Sequence, residues 1–157
     1  MENQLTILSE SLDRKLQVLQ DIRKYNEQQE QSFLSETIKL KDFDEAIEEK
    51  GRLIERLNKL DEGFEAVYSR LAEELKGNRE KYKAQIAELQ NKIRQVTELG
   101  TSIQAQEKRN KALVEQYFSK SRENIRQERK NSKAAYNYYK NMSGNSVSSS
   151  QFMDSRQ

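Results

Sequence analysis

The feature that most constrains this chain is an apolar seam with heptad spacing in its second half. Starting at Tyr82, alternate steps of four and three residues meet an apolar or small side chain each time, as far as Ile103. The seam comprises Tyr82, Ile86, Leu89, Ile93, Val96, Gly100 and Ile103. Such a seam forms one face of an α-helix and needs partner helices to cover it. The sequence therefore predicts a helical bundle or coiled coil.

The composition favours long helices that run without interior breaks. The chain contains no proline, the residue that interrupts a helix most strongly. Glu, Gln, Lys, Arg and Leu are abundant, and these residues favour the helical state. We therefore predict an all-α fold in one domain over residues 1–142, followed by a flexible Ser-rich tail over residues 143–157.

Helical periodicity predicts three helices, over about residues 2–35, 43–76 and 79–141. The first helix carries an apolar stripe of Leu5, Leu8, Leu12, Leu19, Ile22 and Phe33. The second helix carries a stripe of Phe43, Ile47, Ile54, Leu57, Phe64, Tyr68, Leu71 and Leu75. Because the links between the helices are short, we predict antiparallel neighbours in an up-down-up bundle or coiled coil.

Polar residues mark interruptions and ends of these helices. Asn26 and Gln29 interrupt the first stripe, where they either fix the packing register, loosen the packing, or form a polar binding patch. Asp42 with Glu45 has the pattern of a capping box, which predicts the start of the second helix there. Asn78 is the predicted cap of the third helix.

Beyond Ile103 the heptad seam loses its apolar character, although the helix-favouring sequence continues to about Lys140. The next steps meet Glu107, Asn110, Val114, Tyr117, Ser121 and Asn124. A helix of about 60 residues would be roughly 90 Å long, against roughly 50 Å for each of the first two. We therefore predict that the third helix is much longer than the others and overhangs the bundle.

The predicted overhang is basic, whereas the body is mildly acidic. Residues 105–140 carry a net charge of +6 and residues 1–104 a net charge of −4. A basic segment with nearby tyrosines raises nucleic-acid binding as a function. We do not expect it, because the excess is modest and no known nucleic-acid-binding fold is recognisable.

Missing residue types exclude several function classes. The chain has no cysteine and no histidine, so it lacks thiol nucleophiles, zinc clusters and the commonest general base. No glycine-rich phosphate loop is present either. We therefore expect no enzymatic activity, no cofactor and no metal. Since neither a signal peptide nor an apolar run long enough for a membrane span is visible, we expect a cytoplasmic protein without membrane insertion.

Two small patches near the end of the third helix are candidate contact surfaces. The first patch comprises Leu113, Val114, Tyr117 and Phe118, and it forms either the last core layer or a surface that accepts a partner helix. The second patch comprises Ala134, Ala135, Tyr136, Tyr138, Tyr139 and Met142. Tyrosine is enriched in protein interfaces, so this patch is either a contact surface or a frayed helix end.

The C-terminal half resembles the FlgN family of bacterial flagellar export chaperones. Residues 109–116 are similar to an Asn-x-x-Leu-Leu region that lies late in the last helix of the family. Tyr139 followed by Gly144 is similar to the end of that helix. A similar tail motif comprises Phe152, Asp154 and Arg156.

This resemblance implies a specific function. The family binds C-terminal helical segments of hook-associated proteins, which form the hook–filament junction, prevents their premature association, and delivers them to the flagellar export gate. The implied client-binding region comprises Asn110, Leu113, Val114, Tyr117, Phe118 and Ile125. The implied candidates for docking at the export gate are Tyr136, Tyr138 and Tyr139.

A coiled-coil scaffold or adaptor protein is the alternative function. Such a protein would dimerise through the seam of the third helix and would need no client. A dedicated coiled-coil dimer should keep apolar residues at the heptad positions after Ile103, and this chain does not. The sequence therefore favours the chaperone.

Overall fold

The computed structural model describes residues 2–120, 135 and 137–142, and these residues are largely helical. Three long helices follow one another as α1 (Glu2–Leu34), α2 (Leu40–Gly77) and α3 (Lys83–Lys120). Residues 135 and 137–142 are also helical and are called the C-terminal segment below. The described part of the chain contains no strand, so the predicted all-α class is confirmed.

Helix α1 is the common packing partner of α2 and α3. The pairs that join α1 to α2 run in opposite order along the two helices: Lys15 with Asp61, Gln29 with Lys50, and Phe33 with Phe43. The pairs that join α1 to α3 run in the same order: Asp13 with Lys92, Asn26 with Asn110, and Phe33 with Tyr117. No Cα atom of α2 lies within 8 Å of one in α3, which leaves a groove between these two helices.

The core follows the heptad positions of all three helices. Its buried apolar side chains in α1 are Leu5, Leu8, Leu12, Val18, Leu19 and Ile22. Those in α2 are Phe43, Ile47, Ile54, Leu57, Phe64 and Leu71. Those in α3 are Leu89, Ile93, Val96, Ile103 and Val114. Each such side chain contributes about 1.5–3 kcal/mol by leaving water, and this burial holds the bundle together.

Two predictions about helix ends are wrong. Helix α2 begins at Leu40, and its N-cap residue Lys39 makes no side-chain capping bond, so Asp42 lies inside the first turn. A carboxylate in that turn is favourable because it faces the positive end of the helix dipole. Asn78 closes α2 instead of capping α3: its side-chain Nδ2 donates to the Glu74 carbonyl oxygen at 2.9 Å.

The predicted single overhanging helix is also wrong. Helices α2 and α3 are each 38 residues long as described, so α3 is not the longer of the two. The Tyr138 hydroxyl lies 2.6 Å from the Glu107 carboxylate, although 31 residues separate the two in sequence. In one straight helix that separation would be about 46 Å. The chain therefore returns to the bundle; residues 121–134 lie outside the described part.

No helix within the described ranges combines the length and the apolarity that crossing a bilayer requires.

Candidate helix-binding site

The groove between α2 and α3 is lined by charged and polar side chains at heptad core positions. On α2, Lys50 occupies the step between Ile47 and Ile54 and is fully buried. On α3, Glu107 follows Ile103 by one heptad step and is 4% exposed. Both residues therefore take positions that apolar side chains fill elsewhere in the bundle, and each needs a polar partner there.

Lys50 joins all three long helices. Its Nζ lies 3.1 Å from Oε1 of Glu107 on α3. It also donates to Oε1 of Gln29 on α1 at 3.0 Å. Burial lowers the pKa of Lys50, and the neighbouring Glu107 carboxylate opposes that shift. The two charges neutralise each other in a region that excludes water, and neither would be tolerated alone.

The C-terminal segment completes this polar network with two tyrosines. Tyr138 donates its hydroxyl proton to Oε1 of Glu107 at 2.6 Å. The Nε2 group of Gln29 donates to the Tyr139 hydroxyl oxygen at 3.2 Å. The Nζ of Lys50 lies 4.2 Å from the centroid of the Tyr138 ring, within the range of a cation–π interaction. The segment thus contacts side chains from α1, α2 and α3.

Burial raises the pKa of both tyrosines, and the negative charge of Glu107 raises it further. Their hydroxyls therefore stay protonated, and Tyr138 remains a donor to the carboxylate at any pH at which the chain is folded. A donor at this point is required because the Glu107 oxygens face a buried environment.

The C-terminal segment buries one face of a short helix. Ala135, Tyr138, Tyr139 and Met142 are buried, at i, i+3, i+4 and i+7. Asn137, Lys140 and Asn141 are exposed on the other side. The groove therefore holds an amphipathic helical segment, with its polar centre at the two tyrosines and its apolar ends at Ala135 and Met142.

Two open clefts flank the segment, and they differ in charge. The cleft on the α2 side is lined by Glu48, Glu55, Glu62 and Glu65, with Arg52 as its basic residue on α2. The cleft on the α3 side is lined by Gln104, Lys108 and Lys111. Lys140 of the segment borders both clefts. The groove is therefore electrostatically asymmetric across its width.

A second polar layer lies between α1 and α3. Asn110 donates its Nδ2 proton to the Asn26 carbonyl oxygen at 3.0 Å, and Asn26 Nδ2 lies 3.4 Å from Oε1 of Gln106. The Oδ1 atoms of both asparagines are buried and have no hydrogen-bond partner among the described residues. A sliding of α3 against α1 would break these directional bonds, which supports the interpretation that Asn26 fixes the packing register.

An aromatic cluster closes the bundle near the α1–α2 link. Its members are Phe33, Phe43, Tyr117 and Phe118. Phe33 packs edge-to-face on Phe43 and on Tyr117, with ring centroids 5.6 and 5.7 Å apart. Phe43 meets Phe118 at 6.3 Å, which ties α2 to α3 through side chains. These contacts add to the stability of the last core layer.

The residues of the implied client-binding region fall into three groups. Asn110 and Val114 are buried inside the bundle. Leu113, Tyr117 and Phe118 are partly buried at the end of α3, so part of each side chain is accessible. Ile125 lies outside the described residues.

The implied gate-docking tyrosines are not accessible where they are described. Tyr138 is 4% exposed and Tyr139 is 7% exposed. Their hydroxyls are engaged by Glu107 and Gln29. Tyr136, Ala134 and the tail motif of Phe152, Asp154 and Arg156 lie outside the described residues.

Sequence reasoning missed Lys50 and Glu107 as partners. Both lie on the heptad steps of their helices, where a charged residue is not expected to be buried. The signal was present: Lys50 continues the 4-3 spacing from Phe43 and Ile47. A basic residue on one stripe and an acidic residue on another is the pattern of a buried ion pair.

The site is built for packing and hydrogen bonding, not for metal ligation: no group of three or more acidic, His or Cys side chains that could hold a metal ion occurs in residues 2–120, 135 and 137–142. What it accommodates is a helical segment with hydroxyl-bearing aromatic side chains. Comparison with protein-family models, curated proteins and solved structures finds no match for this chain.

Proposed function

We propose that this protein is a cytoplasmic export chaperone of the flagellar type III pathway. It binds C-terminal helical segments of hook-associated proteins, prevents their premature association, and delivers them to the flagellar export gate. The arrangement that we infer is an up-down-up bundle, supported by the order of the contact pairs along α1, α2 and α3.

The observation that carries this proposal is the groove between α2 and α3. A chaperone for helical segments must offer a surface that a helix completes, and here a short amphipathic helix already lies in such a surface. The partly buried Leu113, Tyr117 and Phe118 extend that surface towards the α1–α2 link. The resemblance of residues 109–116 to the client-binding region of the chaperone family points to the same part of α3.

The alternative, a coiled-coil scaffold that dimerises through the seam of the third helix, has less support. The seam residues Leu89, Ile93, Val96 and Ile103 are at most 3% exposed, and α1 packs against this helix. A seam that is covered within one chain is not available to a second copy without opening the bundle.

The test is light scattering after size exclusion, with the full chain mixed with hook-associated proteins of the same bacterium. We expect a complex of defined stoichiometry. The variant Leu113→Asp should abolish it, because a charge would enter the partly buried apolar surface of α3. The matched control is Ile7→Asp, which introduces the same charge at a side chain that is 51% exposed near the opposite end of the bundle.

The control should bind like the wild type. If no hook-associated protein binds the full chain, the proposed function is wrong. A homodimer that ignores these proteins would favour the scaffold instead.

A further inference from the structure

The C-terminal segment is the smallest contributor to the bundle and the most ligand-like. It buries Ala135, Tyr138, Tyr139 and Met142, whereas each long helix buries a stripe along most of its length. The contacts of α1 with α2 and with α3 do not involve it. Removal of the segment from the groove would therefore leave the three-helix core in place.

The chemistry under the segment favours reversible docking. The Lys50–Glu107 ion pair lies directly beneath Tyr138. Water that enters an emptied groove would hydrate both charges, and this hydration offsets part of the free energy that undocking the segment costs. An entirely apolar groove would gain no such compensation and would hold its occupant more tightly.

The same groups define what the groove recognises. Glu107 presents a carboxylate oxygen that needs a donor, and Lys50 presents a cation that a ring face can cover. One helical turn on either side, the groove accepts a small and an unbranched apolar side chain, Ala135 and Met142. A basic residue at the position of Lys140 would approach the glutamates of the α2-side cleft.

We infer that the C-terminal segment is an exchangeable occupant of the α2–α3 groove, and that an external amphipathic helix with the same face replaces it. That helix carries two adjacent aromatic residues, the first with a hydroxyl donor, between a small residue at i−3 and an apolar residue at i+4. This inference rests on the proposed function only in that such a helix would belong to the client; the exchange itself is a property of this chain.

The test uses a fluorescent peptide that copies residues 131–145 and the full chain with Tyr138→Ala. In the wild type the tethered segment competes at an effective concentration in the millimolar range, as expected for a short linker. The Y138A chain loses the bond to Glu107 and the ring over Lys50, so its own segment competes poorly. We expect the peptide to bind Y138A at least tenfold more tightly than the wild type, measured by fluorescence anisotropy.

Two controls make this result specific. A peptide in which the residues that copy Tyr138 and Tyr139 are alanine should not bind. The triple variant Y138A with Lys50→Met and Glu107→Met should bind the wild-type peptide at least tenfold more weakly than Y138A, because it lacks the acceptor and the cation. If Y138A has lost helix content by circular dichroism, Met142→Ala serves as the weakened-segment variant in the same comparison.

Equal affinity of the peptide for the wild type and for a folded weakened-segment variant would overturn the inference. So would equal affinity for the chains with and without the Lys50–Glu107 pair. A hook-associated protein added to the Y138A–peptide complex then separates the two proposals. Displacement of the peptide supports both. Binding without displacement supports the chaperone function and overturns the shared groove, whereas peptide exchange without any binding of hook-associated proteins supports the exchange and overturns the function.

Discussion

The interface between α1 and α3 has two parts that differ in chemistry. The apolar part contains Leu8, Ile22, Leu89 and Ile103, all buried carbon side chains. The polar part, defined by Asn26, Gln29, Gln106, Glu107 and Asn110, is as deeply buried but is held by hydrogen bonds and an ion pair. The C-terminal segment docks at the polar part.

This difference teaches how a bundle separates stability from selectivity. Apolar burial is non-directional, so the apolar part accepts many packings and contributes most of the stability. Buried hydrogen bonds and charges are directional and are costly when a partner is missing. The polar part therefore selects one register of α3 and one kind of occupant for the groove.

The largest effect is expected from Glu107→Gln. The substitution leaves the Lys50 ammonium buried opposite a neutral amide, and breaking a buried pair in this way costs about 3–5 kcal/mol of unfolding free energy. Urea denaturation followed by circular dichroism measures the loss. The double variant with Lys50→Met and Glu107→Met should recover most of it, because both charges are gone. A double variant that is no more stable than the single one would contradict the role of the unpaired charge.

A cavity in the apolar part should reduce stability without changing selectivity. Ile22→Ala removes a fully buried side chain and should cost about 2–5 kcal/mol of unfolding free energy in the same measurement. The matched control, Ile7→Ala, shortens a side chain that is 51% exposed and should change stability by less than about 0.5 kcal/mol. Binding of the peptide that copies residues 131–145 should be unchanged by either, as long as the chain is folded.

The polar part should make the protein sensitive to alkaline pH. The folded state raises the pKa of Tyr138 and Tyr139 above the ordinary value of 10.0, so the unfolded chain releases these protons first. Stability from this source is complete below pH 10 and falls as the pH rises further. Lys50, whose pKa is lowered from 10.5, acts in the opposite direction between its folded pKa and 10.5 and therefore offsets part of the loss.

Unfolding free energies of the wild type and of the Tyr138→Phe, Tyr139→Phe double variant, measured from pH 8 to pH 11, test this. We expect the wild type to lose more stability above pH 10 than the double variant. Absorbance at 295 nm should show two of the seven tyrosines ionising only as the chain unfolds. Parallel pH profiles for the two proteins would show that these hydroxyls do not carry the dependence.

The smallest effect is a gain in stability outside both parts of the interface. Gly63 lies within α2, and a Cβ added there meets no atom within 4 Å. Gly63→Ala should therefore raise the unfolding free energy by about 0.5–1 kcal/mol through the lower entropy of the unfolded chain. Thermal denaturation measures the gain, and a loss would mean that α2 needs the glycine for a reason other than space.

Local patterns predicted the helices well and their ends less well. Seam positions such as Leu89 and Ile103 are buried, as heptad spacing requires. The capping box at Asp42 and Glu45 was wrong because the helix starts two residues earlier, at Leu40, and Lys39 precedes it without a side-chain cap. Capping sequences state where a helix can begin, whereas packing of the first turn decides where it does.

The overhang was wrong for a related reason. Glu107 and Asn110 were interpreted as the end of the seam because polar residues seldom occupy core positions. Both are buried, since each finds its partner on another element: Glu107 on α2 and in the C-terminal segment, Asn110 on α1. For the same reason the implied docking role of Tyr138 and Tyr139 could not be assessed from their spacing.

The sequence by itself determined the all-α class and the face that each helix buries, because these follow from the 3.5- and 3.6-residue periods of neighbouring residues. Only the tertiary structure decided which polar residues at core positions pair with each other, and where the end of the chain docks. Lys50 and Glu107 are 57 residues apart, and Tyr138 lies 31 residues beyond Glu107. A buried charge is stable only with its partner in place, and helical periodicity carries no information about which residue of another helix that partner is.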